Sequence, residues 1–516
     1  GAVTMASTLG VTGVLTATSL DISGDIDVDG TSNLDVIDVD GAANFAADVT
    51  FADGADIITA SAGTSNFRAG VNAGNSIASG GNYNTVVGDE AGTAITTGDN
   101  NTAVGKSALA ANTTGAKNSA FGYGALDANT TASFNNAFGY DALGSNTTGD
   151  LNVAIGYEAL ATNVAGDKSV AVGLQALYAQ NPSGNADMYN TAVGYSAGAA
   201  VTTGVNNTFL GGLSGDANTT GDDSVAIGYQ ALGANTTGGG NIAIGSGALD
   251  ANTTAIHNVG VGTNALGGNT TGTANVALGH RALLTNTTAS NNTAVGYDSL
   301  KLNTTGASNT AVGKNVLFSN TTGGFNVGLG SDAFYGNTTG ASNVAVGDNA
   351  LQGNTTASFN TAVGRQALAL NTTGGSNIGI GHQALYTNTT GASNVSIGHG
   401  SLYNSTTASN NTAVGYFSLL SNTTGTRNTA VGTNAGDGIT TGSYNSLFGV
   451  HAGSGITTGA VNCAFGDYTL AANTTASYNT ALGQSAMGQN TTGANNTAVG
   501  YNSLYGNTTG YGHAAL

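Results

Sequence analysis

The chain has 516 residues, well above the usual size of one globular core, and carries nine Lys or Arg against 28 Asp or Glu for a net charge of −19. That acidic balance, with no cluster of basic residues, argues against nucleic acids and disfavours anionic membranes as partners, because nothing displaces counterions from phosphates. Charged residues make up only 7% of the chain, so solubility rests on its many Asn, Thr and Ser side chains. The lone Cys463 excludes an internal disulfide framework, and no apolar run reaches the ~20 residues that a membrane helix needs.

Residues 1–60 alternate apolar and polar residues in short runs broken by Gly, as in Leu20-Asp21-Ile22-Ser23-Gly24 and Ile26-Asp27-Val28-Asp29-Gly30. The pattern predicts short strands with one thin apolar stripe, too few for a core of their own, which intertwining with identical chains would supply. Asp25, Asp27 and Asp29 imitate the first half of a calcium loop, but Val36 stands where a bidentate Glu belongs, so solvent-facing strand residues are the expected reading. Residues 61–83, rich in Gly, Ser and Asn, read as a junction.

From Asn84 a repeat of 17 residues, Asn-Thr-Ala-Val-Gly-Tyr-x-Ala-Leu-x-x-Asn-Thr-Thr-Gly-x-x, fills the chain to residue 512. With the opening Asn as position 1, copies start at 84, 101, 118, 135, 152, 169 and 190, then every 17 residues to 496, giving 25 copies and a tail at 513–516. The one irregular step holds a four-residue insertion near 178–189, expected to bulge from one turn. A helical pair needs a longer period than this, and Thr, Asn and Gly disfavour helix, so an all-β solenoid or β-roll is predicted, with two short strands per 17-residue coil. Coils ~4.8 Å apart would make a rod of roughly 120 Å, with Asn and Thr stacked into ladders.

Position 4 is apolar in every copy, including Val104, Phe121, Ile155, Val295 and Val312, and is expected to face a core together with Leu109, Leu300 and Leu504 at position 9. Position 5 is always Gly, as at Gly88, Gly296 and Gly500, which predicts a bend needing positive φ or close backbone approach. In five copies position 9 becomes Gly, and in four of these position 12 changes from Asn to Ile95, Val201, Ile439 or Ile456. Volume lost at one site is restored at the other, so the two should border one cavity; Asn218, in the fifth copy, does not fit. Position 3 is small and apolar yet must point opposite to position 4. A strand covered on both faces implies a second chain, and a parallel homotrimer is the expected assembly.

The Asn-Thr-Ala-Val-Gly-Tyr half-repeat, at Asn292 to Tyr297 and Asn411 to Tyr416, resembles the Asn-Ser-Val-Ala-Ile-Gly motif of YadA-like trimeric adhesin heads. The Leu-Asp-Ile-Ser-Gly and Ile-Asp-Val-Asp-Gly segments look like shafts of marine phage tail fibres. The resemblance implies a trimeric β-roll, an extracellular or virion location and a role in host attachment. The period of 17 departs from the shorter adhesin repeat. An opening at Gly1 rather than Met suggests a fragment or a processed product, and the closing Ala514-Ala515-Leu516 is followed by nothing like the carboxy-terminal chaperone that such fibres often lose, so a matured fibre or a fragment is expected.

No convergent acid, base or nucleophile interrupts the repeats, so no enzyme, cofactor or metal site is expected. His382 and His399, at position 6 of successive copies, should stack ~5 Å apart as exposed ladder residues, because neighbouring copies offer no further metal ligand at that position. Asn-Thr-Thr matches a glycosylation acceptor but recurs at one fixed position, as a turn and ladder motif would. The expected function is a structural and adhesive rod. Candidate contact points for a host glycan or protein are positions 6, 7, 10 and 11, the insertion, and Tyr501, Tyr505 and Tyr511. A cellular surface filament and a monomeric ice-binding solenoid are the alternatives. The Thr-Thr pair, whose side chains point to opposite sides of an extended strand, spoils the flat face that ice binding needs.

Overall fold

The computed structural model describes residues 61–516; the shaft-like runs of residues 1–60 and their Asp25 to Asp29 segment lie outside the described residues. The described chain is a parallel β-solenoid, with no helix among the described residues. Each coil contributes one three-residue strand at positions 2–4, such as Thr102–Val104, which pairs in parallel with its counterpart 17 residues on. From β1 (Phe67–Ala69) to β29 (Ala514–Ala515), 27 strands join one sheet. The remaining two, β7 (Gly166–Asp167) and β9 (Ala186–Asp187), pair with each other beside the insertion.

The expectation of two strands per coil is therefore corrected to one. Beyond the bend, the backbone takes left-handed φ at positions 7, 9 and 17, as at Ser107 (58°), Leu109 (54°) and Lys117 (60°). Such angles break extended structure and cost a non-glycine residue roughly 1–2 kcal/mol each. Hydrogen bonds to the coils on either side offset this: Ser107 N–H donates back to Asp89 O, and Leu109 N–H donates forward to Ala125 O. Position 5 is Gly for both predicted reasons. At Gly88 φ is 134°, and an added Cβ would lie 2.6 Å from Gly105 O. Gly296 likewise would meet Gly313 O at 2.3 Å, whereas at Gly500, in the last complete coil, the nearest atom is 3.7 Å away.

The placement of the strand core is also corrected. Position 3 faces the interior, with Ala103, Ala120, Ala154, Ala294 and Ala311 fully buried. Val104, Phe121, Val295 and Val312 at position 4 are only partly covered, and Ile155 is exposed. A three-residue strand sends only its middle side chain inward, and the interior is already filled from the opposite wall by position 9. Leu109 and Leu300 are fully buried there, while Leu504 packs against the end of the core and is partly buried. A narrow interior with Leu on one wall leaves room only for Ala on the other.

Two asparagine ladders run inside this core. At position 1, Asn118 N–H donates to Asn101 Oδ1 (3.0 Å), and its amide donates to Ala132 O (2.8 Å). At position 12, Asn129 Nδ2 donates to Asn112 Oδ1 (2.7 Å) and to Ala132 O (3.1 Å). Each rung satisfies polar groups that would otherwise be orphaned in a dry core.

The first coil opens at Asn66, so the reading of 61–83 as a junction is corrected. Asn84 N–H donates to Asn66 Oδ1 (2.8 Å), repeating the rung geometry found throughout. Counted from Asn66, there are 26 turns. Gly70, Gly74 and Ile77 occupy its positions 5, 9 and 12, a signature hidden by the 18-residue step to Asn84.

Cavity compensation between positions 9 and 12 holds, but position 3 takes part as well. A Cβ on Gly92 would lie 2.7 Å from both Ile95 Cδ1 and Val86 Cγ1. Gly436 and Gly453 both abut Leu447, and Gly198 and Gly215 both abut Phe209. One enlarged strand residue thus fills the space left by Gly in its own coil and in the coil before. This accounts for Asn218: at Gly215 the Phe209 ring already occupies the cavity, within 2.5 Å of where a Cβ would stand, and Asn218 keeps its ladder rung to Asn235 (2.8 Å).

Candidate association surface

Because the strand's middle residue points inward, positions 2 and 4 form the outer face of the sheet. Position 4 is Val, Ile, Leu or Phe in all 25 copies that start from Asn84, and position 2 is Thr or another small or aliphatic residue in nearly all. No Asp, Glu, Lys or Arg occupies either position in those copies. The row is open to solvent along its length: Leu210, Leu329, Phe465 and Leu482 are between 46% and 56% exposed. Two phenylalanine pairs stack along it, Phe121 on Phe138 (4.7 Å) and Phe448 on Phe465 (5.6 Å). Cys463 sits on this face at position 2 and is exposed.

Beyond the glycine bend, position 6 builds a second column. Tyr123, Tyr140 and Tyr157 stack face to face at 5.2 Å, and His280 stacks on Tyr297 at 5.3 Å. The ring faces within these stacks cover one another, leaving edges outward. Many of the cations serve the same coil-to-coil contacts. Lys117 lies over Phe134, Lys301 over Phe318 and Arg427 over Tyr444, each cation one coil before its ring. Arg281 grips the nearly buried Asp298 through Nε and Nη2, both at 2.8 Å.

Carboxylates gather on the turn side of the early coils. Burial, then the charges of Asp141 and Glu90, push the Asp127 pKa up, and burial followed by Glu158 does the same to Asp141. A shallow pocket there is lined by Asp141, Ser145, Glu158, Thr162 and Tyr178. Among the described residues no three His, Cys, Asp or Glu side chains gather as a metal cage. The insertion forms a small spur rather than a cleft: Lys168 Nζ bonds Asp187 (2.6 Å) and Tyr189 Oη (3.2 Å), and Met188 is fully buried beneath it.

The position-12 asparagines of the Asn-Thr-Thr runs, such as Asn112 and Asn252, are fully buried with their amide nitrogens donating inside the coil. In the folded solenoid they are ladder rungs, closed to a glycosylating enzyme. The threonines divide as follows: Thr96 Oγ1 at position 13 donates to Thr113 O (3.0 Å), whereas Thr97 at position 14 is exposed. Tyr501 and Tyr511 are exposed near the carboxy-terminal end, with Tyr505 less so.

The outer sheet face is hidden in the sequence because the bulkier residue of the strand is the outer one, whereas size alone predicts it inside. The signal that could have found it is the coincidence of Val86, Phe209 and Leu447 with glycine at position 9, which marks position 3 as the interior site. No protein-family model matches this chain, and no curated protein matches it in sequence.

Proposed function

We propose that the solenoid is the rod of an extracellular, homotrimeric fibre with a structural and adhesive role, of the kind found in phage tails, and that it has no catalytic activity. The observation that carries this reading is the uncharged, apolar outer row at position 4, unbroken through all 25 copies from Asn84. Monomers rarely keep a contiguous apolar patch of this extent open to water. At ~4.8 Å per coil and ~10 Å across a three-residue strand, the face offers about 1,200 Å² per chain. A standard stable interface needs only about 800 Å² from each partner.

The occupant is a second and third copy of the same chain. A row with the period of the coil is matched along its whole length by an identical row in parallel alignment, and a neutral face carries no like-charge penalty despite the net charge of −19. The resemblance of Asn-Thr-Ala-Val-Gly-Tyr to trimeric adhesin heads supports three chains over two. A host-surface glycan or protein would be met by the variable positions outside the face, and repetition over three chains would let weak contacts suffice.

Light scattering of the purified chain, repeated in SDS without boiling, tests the assembly. A mass near three chains that survives SDS is expected, and a clean monomer overturns the reading. The paired change Val295→Asp with Val312→Asp should convert the SDS-resistant species to monomer, while Thr305→Asp, on an exposed turn position, should leave it intact.

A further inference from the structure

Most of the aromatic column at position 6 is explained as stacking between coils, but one step of it has another capacity. The rings of His382 and His399 stack with centroids 4.9 Å apart, and their Nδ1 atoms come within 3.1 Å of each other. His399 is held from its other side by Tyr416 at 5.3 Å and by the tilted Phe417 ring at 5.2 Å. His399 is exposed and His382 half-buried, and the contact between them is open to solvent. His280 and His451, by contrast, stack on tyrosines.

We propose that His382 and His399 form a two-nitrogen chelating site for a late divalent transition ion, with Cu²⁺ preferred over Ni²⁺ and Zn²⁺. Bonds of about 2.0–2.1 Å from both Nδ1 atoms, 3.1 Å apart, meet at the ion at an angle of roughly 98°. That angle lies between square-planar and tetrahedral values, the geometries these ions adopt. Water completes the coordination on the open side.

The solenoid fixes the second imidazole beside the first, so little side-chain freedom is lost on binding. Arg365, one coil before, opposes a cation, but its guanidinium is drawn to Asp348 at 3.6 Å. With no ion present, one imidazole donates a hydrogen bond to the other across the same 3.1 Å.

The test is calorimetric titration of the full chain with Cu²⁺, Ni²⁺ and Zn²⁺ in a non-coordinating buffer, beside His382→Ser and His399→Thr. Both replacements occur at position 6 elsewhere, as Ser331 and Thr433, so the coil should be kept, and circular dichroism checks that it is. One ion per chain is expected, Cu²⁺ tightest, with either variant weakening it on the order of 100-fold as chelation is lost. The Cu²⁺ electron paramagnetic resonance spectrum should change from two nitrogen donors to one. Equal affinity in the parent and the single variants would overturn the site and leave the pair a hydrogen bond only.

Discussion

Coils of two kinds stack in this solenoid, and they solve the same packing problem differently. In the long run from Ser224 to Asn422, position 9 is Leu or Phe and position 12 is Asn or Ser, so the interior holds a hydrophobic wall beside two polar ladders. In the coils around Phe209 and around Leu447, position 9 is Gly and an enlarged strand residue reaches across the core in its place. Around Leu447, Ile439 and Ile456 replace the inner asparagines as well, leaving only the position-1 ladder. The unit that conserves volume is therefore a pair of neighbouring coils, since one bulky residue serves two glycines. The polar ladder is expendable where apolar volume replaces it, but its end shows. Asn388 Oδ1, facing Ser405 one coil on, and Asn422 Oδ1, facing Ile439, have no partner, whereas Gln180, facing Val201, turns its amide oxygen to Asn190 Nδ2 (3.0 Å).

The sharpest way to break the comparison is Phe209→Ala. The ring fills the space of both Gly198 and Gly215, so truncation should cost about 3–5 kcal/mol, read as faster amide exchange in the coils on either side. Adding Gly198→Leu and Gly215→Leu to that variant rebuilds the other kind of coil, because φ of 59° and 56° at these glycines matches the 54° of Leu109. Most of the protection should return. If the triple variant stays as weak as Phe209→Ala, the two designs are not interchangeable.

How much of this was legible in sequence follows from the same residues. The period, the glycine bend at Gly88 and Gly296 and the asparagine ladders were readable, because each demands one residue type at one spacing. The link between positions 9 and 12 was readable from Ile95, Ile439 and Ile456. The orientation of the strand was not: with three residues there is no long alternation to phase, and size pointed the wrong way, since Val295 is larger than Ala294. The opening coil was hidden by one extra residue before Asn84. At the histidine pair, the stacking of His382 on His399 follows from the period, but the approach of their Nδ1 atoms depends on ring rotation, which spacing does not fix.

A smaller effect sharpens the ladder half of the comparison. Asn235, in mid-ladder, donates to Asn218 Oδ1 (2.8 Å) and Gly238 O (2.9 Å) and accepts from Asn252 Nδ2 (2.9 Å). Asn235→Ala strands those neighbours in a dry core, at about 1–3 kcal/mol for an acceptor left unsatisfied. Asn422→Ala, at a position with no ladder bond to the coil on either side, removes one bond to Gly425 O together with an oxygen that already lacks a partner, so it should cost less. Local exchange of the flanking amides ranks the two, and equal losses would mean that the ladder rungs act independently of their neighbours.

The smallest effect distinguishes the Gly-Ile coils by pH. Asp437, beside Gly436, is part-buried with Oδ1 unpartnered, and its pKa is raised by burial; His451 and backbone hydrogen bonds act the other way without cancelling it. A carboxyl whose folded pKa lies above its unfolded value carries a penalty while ionised in both states. As pH falls through the folded value the native coil takes up the proton first, so stability rises across the interval down to the ordinary Asp value and then levels off. Asp437→Asn removes that titration and should be the more stable form at neutral pH, the advantage vanishing in acid. Thermal melts of both proteins from pH 7 to pH 3 would show the two curves converging. Convergence in the opposite direction would mean that the aspartate is stabilised by His451 rather than strained by burial.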